Sequence, residues 1–179
     1  MPPLFNLVDW SAAVSTIVGA AVGVGATTLA DRSRWKRDRS RERDQLRRES
    51  YGNYLAAIIR AHEAMRVAAV SDDRSAERRR AAITEAFRSA DPYVHRFDLG
   101  LLAPADVVKL AVAVFRHTRE IRDLLISGVR EDSAEYRAAQ TTYYDAVKTM
   151  SDAMRRDLGI SPLGFAPFGP STETHEPVT

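Results

Sequence analysis

The chain has no cysteine, which excludes disulfides, thiolate metal sites and cysteine nucleophiles and suits a reducing compartment. Lysine is almost as scarce: of 26 basic residues only Lys36, Lys109 and Lys148 are lysines. That bias, with abundant alanine, fits a GC-rich bacterial genome. Linear signatures of chemistry are missing too. His62-Glu63 opens like the zinc-protease motif HExxH, but Arg66 stands where the second histidine belongs. His117 and Glu120 sit three apart, yet a di-iron bundle needs a second such pair and further carboxylates. The glycines of GAAVGVGATT have neither the lysine nor the preceding strand of a phosphate loop, and there is no GxSxG elbow. The chain therefore reads as a non-enzyme, with no cofactor and no metal.

What is present is 179 residues, 45% apolar and 28% charged, enough for one compact body with appendages. The net charge of +2 is unevenly placed. Asp31 to Ser50 holds nine basic residues against five acidic, whereas from Tyr51 onward 17 basic face 18 acidic. The body is thus close to neutral, and nucleic acid, which needs a basic face, is a disfavoured partner.

Residues 1–9 contain no Lys or Arg, unlike the n-region of a cleaved signal peptide. Trp10 to Ala30 carries no charge over 21 residues. As a helix it would be roughly 31 Å long, against about 30 Å of hydrocarbon core. Its large aliphatics are few: Val14, Ile17, Val18, Val22, Val24 and Leu29. The only tryptophans, Trp10 and Trp35, bracket it, and the basic stretch lies wholly on its C-terminal side. These features predict a transmembrane helix over 10–30, with residues 1–9 outside the cell and the rest cytoplasmic. Trp10, Trp35, Arg32, Arg34, Lys36 and Arg37 are the expected membrane-interface residues, the basic ones meeting anionic lipid headgroups. Gly19 and Gly23 form a GxxxG pair suited to helix association and a homo-oligomer.

The stretch 31–50 alternates charge at helical spacing and predicts a solvated, coiled-coil-like stalk. From 51 to 159 the apolar residues recur with helical period. One seam runs through Tyr51, Leu55, Ile58, His62, Met65 and Ala69, and a second through Ile83, Phe87 and Ala90. Pro104 opens a helix carrying Val107, Ala111, Val114, Thr118, Ile121 and Leu125, with Gly128 at its end. Asp132-Ser133-Ala134-Glu135 resembles a capping box and opens the last, with Tyr136, Tyr143, Val147, Met150, Met154 and Leu158. The apolar stretch from Asp91 to Ala103 is expected as a short helix or lid. The fold class is all-α: the transmembrane helix, the stalk, then an antiparallel three- or four-helix bundle. Residues 160–179 read as a flexible tail in which Phe165 and Phe168, set between prolines, could form a linear motif.

Trp35-Lys36-Arg37-Asp38-Arg39 and Tyr51 to Leu55 carry a resemblance to small uncharacterised bacterial single-pass membrane proteins with a basic juxtamembrane stretch and a helical domain. It covers about the first third of the chain and implies an architecture without an activity. The leading expectation is a membrane-anchored adaptor or scaffold that presents the bundle to a cytoplasmic protein. Two alternatives stand beside it. One is a tethered sensor or regulator that binds a small ligand between helices. The other is a soluble helical protein whose Gly/Ala-rich N-terminal helix is buried in the bundle.

Overall fold

The computed structural model describes residues 7–70 and 75–163, with side chains described at Trp35 and from residue 39 onward. Every regular element among them is a helix. α1 spans Leu7–Val70, α2 Ala76–Ser89, α3 Pro92–Leu102, α4 Ala105–Ser127 and α5 Ala134–Asp157. The chain divides into two compact units, Met1–Gln45 and Leu46–Thr179.

The membrane reading is corrected. Among the described residues no helix is long and apolar enough to cross a membrane. α1 does not stop at Ala30 but runs for 64 residues, taking the small-residue run and the charged stretch into one helix. An uncharged length made largely of Ala, Gly, Ser and Thr satisfies the length criterion for a span without supplying its apolarity. The single-pass architecture and its resemblance, the outside-to-inside topology, the bilayer partner and the membrane-anchored scaffold all fall with the span. The side chains of Trp10, Gly19, Gly23, Arg32, Arg34, Lys36 and Arg37 lie outside the described residues, as do those of the Gly/Ala-rich segment that the third reading would bury. Trp35 is described. It is 69% exposed and takes the Arg39 guanidinium over its ring at 5.5 Å.

The second unit is a helical body built on the apolar seams. α1 contributes Tyr51, Tyr54, Ile58, Ala61 and Met65, α2 Ile83 and Phe87, and α3 Leu99. α4 contributes Val107, Ala111, Val114, Ile121 and Leu125, and α5 Tyr136, Tyr143, Val147, Met150 and Met154. All are buried in one core, as the 3.6-residue period requires of a helix with one apolar stripe. Among α2 to α5, α4 and α5 pack most extensively, and α2 and α3 lie against α4.

The boundary of the body falls inside the stretch expected as a stalk. Ser50 is buried, and Arg47 reaches across to the Leu102 carbonyl at 3.1 Å and to Asp157 at 3.5 Å. Tyr51 donates to the same carboxylate at 2.7 Å. These bonds tie the C-terminal ends of α3 and α5 to one turn of α1. Pro92 starts α3, because a ring without an N–H is best tolerated in the first turn. Asp91 makes the corner in the left-handed region, at φ 51°.

Candidate functional site

Where α1 approaches its C-terminus, the apolar seam is interrupted by one polar residue. His62 is 1% exposed. Its imidazole stacks on Tyr143 of α5, centroids 4.8 Å apart with 20° between planes, and meets Tyr144 edge-on at 5.7 Å. Such contacts bury the ring's faces but satisfy neither nitrogen. Nδ1 lies 3.3 Å from Glu63 Oε1. A carboxylate there assigns the proton to Nδ1 and leaves Nε2 as an acceptor. Nε2 is buried and has no partner.

Glu63 is the next residue, and Arg66 lies one turn further along α1. Arg66 donates to Glu63 at 3.0 Å and, through Nε, to Glu131 Oε2 at 3.1 Å. Glu131 belongs to the short connection between α4 and α5, and its second oxygen, Oε1, is buried without a partner. Tyr136, in the first turn of α5, is the third such group: the residue is buried and its hydroxyl has no partner. Two helices and one turn therefore converge on Arg66 and leave three polar atoms unmatched nearby. Buried polar groups are ordinarily matched, and an orphan costs about 1–3 kcal/mol.

The electrostatics agree with the geometry. Burial disfavours the charged imidazole and lowers the His62 pKa, with Glu63 opposing that shift in part. Burial is also the main cause that raises the phenols of Tyr136, Tyr143 and Tyr144, with neighbouring carboxylates adding to it. Desolvation works against the Arg66 charge, but its bond to Glu131 and the field of both carboxylates outweigh it and raise its pKa. At neutral pH these shifts leave the imidazole neutral and the phenols protonated beside the Arg66 guanidinium. Beside it opens a recess of about 320 Å³ lined by Glu63, Arg66, Val67, Val70 and Glu131.

Sequence reasoning placed His62 on the seam and saw that Arg66 breaks the zinc motif. The structure gives that arginine a task, as the link between Glu63 and Glu131. Tyr136 reads only as a core position of the last helix and Glu131 not at all, since both lie some 65 residues or more along the chain and follow no spacing rule with His62. His117 and Glu120 close on each other at 2.7 Å, with Arg116 3.8 Å from the same carboxyl group. Among the described residues, no group of three or more His, Cys, Asp or Glu is placed to hold a metal ion. No family model, no curated protein and no solved structure matches the chain.

Proposed function

We propose that the body is a non-catalytic regulatory module that binds a small primary amine, or a molecule presenting one, in the recess at the α1–α5 end. The observation that carries this reading is Glu131 Oε1, a buried and unpartnered oxygen on a residue that lines the recess, with the unpartnered Tyr136 hydroxyl and His62 Nε2 in the field of the same carboxyl group. An ammonium group can donate to Glu131 Oε1, and Glu63 and Glu131 against Arg66 at the recess favour a cation. The recess has the size of a small-ligand site. A binding role rather than a chemical one is supported by the state of the groups. The phenols are held protonated, and His62 is sealed against Tyr143 and Tyr144.

Thermal unfolding of the full chain against primary amines of increasing size, with matched alcohols and carboxylates, tests the reading. Ligand that binds only the folded state at 100 times its Kd stabilises by about 2.7 kcal/mol. Amines should raise the Tm and carboxylates should not, and Glu131→Gln with Tyr136→Phe should remove the shift. A shift that persists in that double variant, or no shift with any amine, would refute the proposed site.

A further inference from the structure

α3 is a helix with one side satisfied. Leu99 is fully buried against the core, whereas Val94, Phe97 and Leu101 are 56%, 70% and 72% exposed. Their i, i+3, i+7 spacing places them on one face. Tyr93 and, across on α4, Val112 extend the apolar surface. Contiguous exposed apolar surface of this kind marks a site of association. Against it lies a groove of about 380 Å³, lined by Arg96, Phe115, Arg116, Arg119, Glu120 and Asp123. Its carboxylates are engaged: Glu120 with His117 and Arg116, and Asp123 with Arg122. Arg96 lies over the Phe115 ring at 4.3 Å, and neither it nor Arg119 has a carboxylate partner among the described residues. An occupant must therefore bring both aromatic or aliphatic side chains and acidic ones.

The chain carries such a segment. After Leu163 the sequence reads GFAPFGPSTETHEPVT, with Phe165 and Phe168 followed by Glu173 and Glu176. Its root is fixed. Beyond Gly159, at φ 70°, the backbone turns back along α5: the Ser161 carbonyl accepts from Arg155 at 2.7 Å, and the Leu163 N–H donates to Asp152 at 3.0 Å. The end of α5 is joined in turn to the Leu101 end of the apolar face, because Arg47 binds both the Leu102 carbonyl and Asp157. From Leu163, five residues reach up to about 17 Å and thirteen up to about 45 Å. The face from Leu101 to Val94 is only ~10 Å long.

We propose that residues 164–176 dock on α3 of their own chain, with Phe165 and Phe168 against Phe97 and Leu101, and Glu173 and Glu176 beside Arg96 and Arg119. The tether makes the encounter intramolecular, at an effective concentration in the millimolar range. Pro167 and Pro170 narrow the backbone conformations open to the segment, which lowers the entropy lost on docking.

The absence of cysteine gives a clean test in the full chain. A Cβ at Gly100, which flanks Phe97 and Leu101, or at Gly52 on α1, meets nothing within 4 Å, so both positions accept cysteine without disturbing the fold. Gly100→Cys with Ala166→Cys, oxidised at low micromolar protein, should close an intramolecular disulfide at least ~10-fold faster than Gly52→Cys with Ala166→Cys. Adding Phe165→Ser and Phe168→Ser should bring the rate down to that of the Gly52 pair. Equal rates for the two pairs would overturn the proposal. So would a product dominated by disulfide-linked dimer that grows with concentration, since a second copy would then be the occupant.

Discussion

His62 is the residue at which the core departs from apolar packing. Its ring contributes surface to the stack with Tyr143, while its unpartnered Nε2 costs desolvation. The neutral form is favoured in the fold, so the folded pKa lies below the ordinary 6.5. Between those two values the unfolded chain binds more protons than the native one, so stability rises with pH. The contribution is complete above 6.5 and is lost as pH falls through 6.5 toward the folded value. Urea denaturation at pH 5.5, 6.5 and 7.5 should therefore show decreasing stability on the acid side. His62→Phe, which keeps a ring against Tyr143 and cannot titrate, should flatten that dependence, and an unchanged slope would reassign it to another group. Periodicity made His62 legible as an inward-facing position. The company it keeps was not legible, because Glu131 and Tyr136 reach it only through the pairing of α1 with α5, which no local pattern encodes.

At the scale of elements, the ends matter as much as the faces. The start of α5 reads as a box running from Asp132 to Glu135, yet the capping residue is Ser133, whose hydroxyl accepts from the Tyr136 N–H at 3.1 Å. Asp132 is engaged instead by the Arg130 side chain at 3.3 Å. Ser133→Ala should cost about 1 kcal/mol in equilibrium unfolding. Because the bond is made to the backbone of Tyr136, the same substitution should weaken the amine-dependent Tm shift, whereas Ser75→Ala, which removes the cap of α2, should leave that shift intact. The faces of α2, α4 and α5 were readable from sequence because each is a single stripe against a single core. α3 was foreseen as apolar without its orientation. With Leu99 inward and Phe97 and Leu101 outward, it has apolar residues on both sides, so periodicity alone does not tell core from surface.

The whole molecule separates into units at a place that the charge pattern conceals. The nine basic residues between Asp31 and Ser50 look like one stretch, but Arg47 is bonded within the helical body and Ser50 is buried in it, so the body begins at Leu46. The run from Trp10 to Ala30 shows the opposite failure: its length and flanks satisfied topological rules while its composition supplied few large aliphatics. The division has a mechanical consequence. If the body draws its stability from the core formed by α2 to α5 with α1 from Leu46 onward, residues 46–179 should unfold cooperatively on their own. In urea the fragment should share the midpoint of the full chain's main transition, followed by near-ultraviolet circular dichroism of the six tyrosines, all of which lie in the body. A broad transition, or a lower midpoint, would mean that residues before Leu46 stabilise the body. Residues 51–179 give the complementary result. They lack Arg47 and with it the bond that fastens the ends of α3 and α5, so their midpoint should fall below that of 46–179 even though every large core side chain is retained.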